Sequence, residues 1–200
     1  MVGTTVPVVY GRRRWKLIIA IYSLSQVAGA LATGLLAWSV GTGLRAVLGL
    51  DFTVTTAVIA AVAAFGALHD LQLTTVWLPA SRWQVPWQWK RFPRPLMAAM
   101  FGFAIGMGVL TRIPFAAFHV VLIATMLVCD LQSALLVMLV YGATRALGVG
   151  VASQLQMLIS DVRQRPRAIN RMGPLVGYLN GIILAAVAGT MVGSLSRASF

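Results

Sequence analysis

Five ionisable side chains lie within otherwise apolar stretches of this chain: His69, Asp70, Arg112, His119 and Arg145. Charged groups in hydrocarbon are costly, so they face an interior and find partners. Asp70 is the only acid well inside an expected span. The simplest arrangement pairs it with Arg112 or Arg145. The remaining arginine then needs backbone carbonyls, an interface or a bound anion. Arg112, Arg145, Asp70 and His69 are thus candidates for structural pairing, for a polar pathway or for an anion site. His69 and His119 add a further option, because neutral imidazole ligates haem iron or a chlorophyll-type magnesium. By residue count the two sit at different depths, which opposes a shared bis-histidine haem and leaves separate pigments open. Nothing in the sequence requires a cofactor, and no metal site is expected.

Soluble-enzyme chemistry is poorly represented. The four acids are all aspartates, and there is no HExxH motif, no P-loop and no cysteine pair. Cys129 is the sole cysteine and can make no internal disulfide. The chain is therefore not expected to be an enzyme.

The elements that must position these groups are membrane spans. Hydrophobic residues make up 59% of the 200 and charged residues only 10%, against about 25% charged in soluble domains. The sequence predicts an all-α integral membrane protein, a single polytopic domain over 1–200 with about five transmembrane helices. Spans are expected at about 17–44, 52–79, 96–129, 133–153 and 173–195. The third stretch is too long for a perpendicular span and too short for a comfortable pair. It reads as one long helix kinked at a hinge, Pro114, with a broken or re-entrant helix as the alternative. No cleavable signal peptide is expected.

Orientation follows from the basic residues. Arg12, Arg13, Arg14 and Lys16 precede the first span. Arg82, Lys90, Arg91 and Arg94 separate the second and third, and Arg163, Arg165, Arg167 and Arg171 the fourth and fifth. Only Arg45 and Arg197 fall on the other side. The positive-inside rule puts the N-terminus in the cytoplasm and the C-terminus outside, in a multi-pass protein of the cell inner (cytoplasmic) membrane. The net charge of +12 then speaks for anionic lipid headgroups rather than nucleic acid.

The loop 81–95 interleaves Trp83, Trp87 and Trp89 with Arg82, Lys90 and Arg91, while its prolines prevent a regular helix. It reads as an interfacial anchor or a docking surface for a partner. Small residues recur every four positions at Gly173, Gly177, Gly181, Ala185, Gly189 and Gly193, and Gly102 and Gly106 share that spacing. Such residues let helix backbones approach closely, within one chain, between copies or against other membrane subunits. An internal echo relates Gly66-Ala-Leu-His69-Asp70-Leu71 to Gly142-Ala-Thr-Arg145-Ala-Leu147.

Residues 96–150 carry a family resemblance. A glycine-rich helix start (Gly102, Gly106, Gly108), a mid-helix Pro114 and a following helix with Tyr141-Gly142 resemble the CcdA/DsbD transmembrane family of the LysE-type superfamily. That family moves reducing equivalents across membranes. The resemblance implies its scaffold but not its chemistry. Where the family has a redox cysteine at the kink, this chain reads Leu110-Thr111-Arg112-Ile113-Pro114, and paired-thiol exchange is unavailable. The resemblance puts Arg112 at the former reactive position.

The first functional expectation is a non-catalytic subunit or scaffold of a larger membrane complex, built on a redox-inactive CcdA-like bundle. The alternative is a small-solute or ion carrier using the intramembrane Arg, Asp and His residues. A pigment- or haem-binding membrane protein is the second alternative.

Overall fold

The structure is a computed structural model that describes residues 12–74, 89, 91–108, 116–158 and 178–192. These residues are helical, with no strand among them. The helices are α1 (Arg12–Leu48), α2 (Phe52–Asp70), α3 (Arg94–Gly106), α4 (Ala117–Leu127), α5 (Leu131–Leu158) and α6 (Tyr178–Val192). Within the described residues, Lys16–Leu48, Phe52–Asp70 and Leu131–Gly148 are long and apolar enough to cross a membrane. The outward-facing residues agree, since Leu24, Val47, Phe65, Leu136, Val140 and Ile183 are all exposed. Lipid covers such a surface at no cost. The chain is a helical membrane protein.

The helix bounds differ from the sequence expectation in three places. The second expected span reaches residue 79, but α2 ends at Asp70. Leu71 is still right-handed, and Gln72 turns to a φ of 60°. The Gln72 N–H then donates to His69 O at 3.0 Å and the Leu73 N–H to Leu68 O at 2.9 Å. These are the two bonds of a Schellman termination, usually built on glycine. His69 and Asp70 therefore occupy the last turn of a helix, not its middle.

The third stretch is two helices rather than one kinked helix. α3 has 13 residues and α4 has 11, about 20 and 16 Å, and each alone is too short to cross a bilayer. α3 stops because Gly108 takes a φ of 69°, a left-handed conformation that glycine adopts freely. Arg112 and the expected hinge Pro114 lie outside the described residues.

α1 is longer than expected. Its 37 residues extend about 55 Å, well beyond the roughly 30 Å of a hydrocarbon core. Of the fifth expected span, the described part is α6.

The chain divides into two compact units. The first comprises Met1–Thr33, Ser81–Arg112 and Leu135–Arg167; the second comprises Gly34–Ala80, Ile113–Ala134 and Ala168–Phe200.

In the first unit, α1 meets α3 through glycines on both sides. A Cβ on Gly102 would overlap the Tyr22 carbonyl oxygen, one on Gly106 that of Gln26, and one on Gly29 that of Phe103. Gly142 of α5 lies against Ala30 and Val27 of α1. Residues 138, 142 and 146 of α5 are all buried, one face repeating every four residues.

In the second unit, α2, α4 and α6 share a core of Ala63, Ala67, Ala116, Val120, Leu184 and Ala188. Gly66 permits this approach, because a Cβ there would stand 3.0 Å from the Ala116 methyl. Gly41 of α1 seats against the Met126 backbone of α4, and Gly181 of α6 against Leu71.

Candidate functional site

An interrupted helix leaves backbone polar groups without intrahelical partners. In lipid each of them must be satisfied by protein. The C-terminus of α3 and the N-terminus of α4 each receive a charged side chain, of opposite sign, one in each unit.

α4 begins in the second unit, where its N-cap position is Ala116, which has no side chain able to cap. Asp70 of α2 supplies the cap from elsewhere in the sequence. The Ala116 N–H donates to both carboxylate oxygens, at 3.1 Å each. Asn180 of α6 donates its side-chain amide to Oδ2. The His69 ring lies with Nδ1 3.0 Å from Oδ1. The Asp70 side chain is 1% exposed and the His69 ring 25%. A carboxylate at a helix N-terminus is favoured by the helix dipole as well as by its hydrogen bonds.

α3 ends in the first unit, where the cap is cationic. Arg145 of α5 donates through NH1 to the Ile105 carbonyl at 3.3 Å and to the Tyr141 hydroxyl. Its guanidinium also lies 5.5 Å from the centre of the Tyr141 ring, within cation–π range. The Gly108 N–H reaches Ile105 O at 3.1 Å, and the Thr33 hydroxyl donates to Met107 O at 2.9 Å. A cation at a helix C-terminus is the counterpart of the anion at α4.

The expected ion pair with Arg145 does not form, and the alternative pair with Arg112 lies outside the described residues. Asp70 binds His69, Asn180 and a backbone amide, and Arg145 binds a backbone carbonyl and a tyrosine. Of the two segments in the internal echo, Gly66 and Gly142 both sit at close contacts.

Sequence reasoning missed three contributors. Asn180 passed as a polar residue within a small-residue stripe. Ala116 acts through its backbone, which no side-chain pattern announces. Gln26 is the third, 1% exposed on the α1 face that meets α3, with neither side-chain Nε2 nor Oε1 hydrogen-bonded. A buried amide without partners is rare and costly; here the signal was a lone glutamine in an apolar helix.

The other aspartates among the described residues also stand at helix N-termini. Asp51 accepts the Val54 N–H at 2.7 Å and Asp130 the Ser133 N–H at 3.2 Å. Those hydrogen bonds hold the Asp130 carboxyl below its usual range. Arg45 donates to the Cys129 carbonyl at 3.3 Å, a cation at the C-terminal end of α4.

His119 lies on the first turn of α4 with its ring edge-on to Phe118, centroids 5.7 Å apart. The described residues contain no group of three or more His, Cys or Asp side chains able to hold a metal ion. Gly102, Gly106 and Gly181 sit at close contacts, whereas Gly189 is exposed with open space around it, so the four-residue stripe is not the buried face of α6. That face is Gly181, Leu184 and Ala188. Trp89 lines an open apolar groove of about 450 Å³ with Ser25, Ala28, Ala99, Met100, Phe103 and Ala104, and Arg91 is exposed. Gly173, Gly177, Gly193, Arg82, Trp83, Trp87 and Lys90 lie outside the described residues. No protein-family model, curated protein or solved structure matches this chain.

Proposed function

We propose that this protein is a small-solute carrier of the inner (cytoplasmic) membrane. The observation that carries this reading is that two short apolar helices each have a charged side chain of another helix at one end, Arg145 at the C-terminus of α3 and Asp70 at the N-terminus of α4. Discontinuous helices with charged or dipolar ends are the usual construction of solute and ion sites in carriers. The unpartnered amide of Gln26, on the α1 face that packs against α3, is a ready group for a polar solute. Arg145 makes anions the first class to test. The topology in this reading has five passes, N-terminus inside and C-terminus outside, with 96–129 counted as one interrupted crossing. The resemblance to the CcdA/DsbD scaffold over 96–150 supports the same assignment, with Arg112 at the former reactive position.

The test is flux in proteoliposomes across a panel of small anions, cations and amino acids. Saturable uptake that is lost in Arg112→Ala and reduced at least about tenfold in Gln26→Leu supports the carrier. The absence of uptake across the whole panel by a folded, monodisperse preparation contradicts it.

A second reading, a non-catalytic subunit of a larger membrane assembly, has one observation in its favour. α6 presents Ala185 and Gly189 outward, with open space at Gly189, and small residues suit contact with another helix. Copurification of a fixed set of polypeptides in mild detergent supports that reading; a solitary monomer opposes it.

A further inference from the structure

We propose that the groove between α1 and α3 seats one acyl chain of an anionic phospholipid, whose headgroup lies at the basic end of the two helices. The site lies within the first unit and is independent of the carrier reading.

The contact of α1 with α3 fixes their relative direction. Gly102 lies against the Tyr22 carbonyl and Gly106 against that of Gln26. Four residues along one helix match four along the other in the same sense, so the two helices run parallel. Both begin at the same end. Carried back along this register, Arg94 at the start of α3 falls within one turn of the level of Lys16 on α1.

The groove lies beside that contact. Its volume of about 450 Å³ is in the range of ligand pockets. Ser25 and Ala28 line it from α1, Ala99, Phe103 and Ala104 from α3, and Trp89 from the residues that precede α3. Apart from the Ser25 hydroxyl and the Trp89 indole N–H, the lining offers no polar side-chain group. A polar solute finds almost no partners there, whereas a hydrocarbon chain needs none. Counted from Arg94, Ala99 and Ala104 lie about 8 and 15 Å along the helix, within the roughly 15 Å of hydrocarbon that one leaflet contributes. The groove is thus at the depth of an acyl chain whose headgroup sits level with Arg94.

Charge selects the headgroup. Lys16, Arg91 and Arg94 are all exposed at this end, and Arg91 follows Trp89 by two residues. The described residues of this unit include no acid, because Asp51, Asp70 and Asp130 all belong to the other. Among the described residues the charge at the mouth is therefore of one sign. Tryptophan and basic side chains favour the headgroup layer, and arginine forms strong charge-assisted bonds to phosphate. Basic pockets between transmembrane helices bind anionic headgroups in this way. A zwitterionic lipid carries its own cation into that field and gains less.

Trp89 is the reporter. The full chain is placed in phosphatidylcholine nanodiscs with rising amounts of phosphatidylglycerol brominated on its acyl chains, and bromine quenches tryptophan on contact. The chain has six tryptophans, so the Trp89 signal is the difference between the parent and Trp89→Phe. Quenching of that signal should saturate, with half-effect at a mole fraction about tenfold or more below that for brominated phosphatidylcholine, the scale of one or two basic contacts to an anionic headgroup. Arg91→Gln combined with Lys16→Gln should bring the two lipids to within about threefold. Ala28→Phe, at an exposed position, should fill the groove and remove the saturable quenching by phosphatidylglycerol while the protein stays monodisperse. Equal quenching by the two lipids in the parent overturns the headgroup selection. Saturable quenching that survives Ala28→Phe overturns the groove as the seat. Absent quenching by either lipid means that protein fills the groove, and overturns the proposal.

Discussion

The Asp70 carboxylate holds the backbone amide of Ala116 through both of its oxygens, at 3.1 Å each, across 46 residues of sequence. Ala116 is the N-cap of α4 and carries no capping side chain. A helix that begins at an interruption thus borrows its cap from the end of another helix. Removing the carboxylate should leave the amide buried without an acceptor. Asp70→Ala is expected to cost about 3 kcal/mol, the range for a buried charged partner left uncompensated. Asp70→Asn keeps one acceptor oxygen and should cost roughly half as much. Unfolding midpoints in mild detergent check both values.

Arg145 is the corresponding cation at the end of α3, bound to the Ile105 carbonyl and the Tyr141 hydroxyl. Arg145→Met keeps most of the apolar stem and removes the donors. It should destabilise by about 1–3 kcal/mol. Arg145→Lys should recover only part of this, because an ammonium lacks the planar guanidinium that lies over the Tyr141 ring. The same unfolding assay separates the three proteins.

Gly106 and Gly189 make a matched pair. A Cβ at Gly106 would overlap the Gln26 carbonyl, while at Gly189 it would meet nothing. Gly106→Ala should force α1 and α3 apart and cost about 2 kcal/mol or more, in the range for overpacked contacts. Gly189→Ala should stay within about 0.5 kcal/mol of the parent. If Gly189→Ala instead breaks up an oligomer, the exposed face of α6 is an interface.

Gln72 adopts a φ of 60° at the end of α2, a conformation that costs a residue with a Cβ about 1–2 kcal/mol relative to glycine. Gln72→Gly should therefore raise stability by about 1 kcal/mol while preserving the two terminating bonds. A rise in melting temperature confirms this. A fall would mean that the Gln72 side chain is itself a structural contact.

The long apolar segments were legible because composition alone separates lipid-facing helices from soluble ones. Asp70 and Arg145 stood out for a related reason, since the cost of a buried charge does not depend on knowing its partner. The partners were not legible. Ala116 acts through its main chain, and Asn180 reaches Asp70 from 110 residues away. The end of α2 at Asp70 was missed because the usual glycine is replaced by glutamine, so the apolar pattern ran on past the true stop. Gly108, which ends α3, looked like one more small residue in a helix rich in them.

The central claim is that the third apolar stretch is two helices, the second capped by Asp70. Residue-resolved hydrogen–deuterium exchange of the full chain in nanodiscs tests it most directly, comparing the parent with Asp70→Asn. The account predicts two separately protected segments matching α3 and α4. It also predicts a loss of protection in Asp70→Asn confined to the first turn of α4. Unbroken protection from Arg94 to Leu127, indifferent to Asp70→Asn, would contradict it.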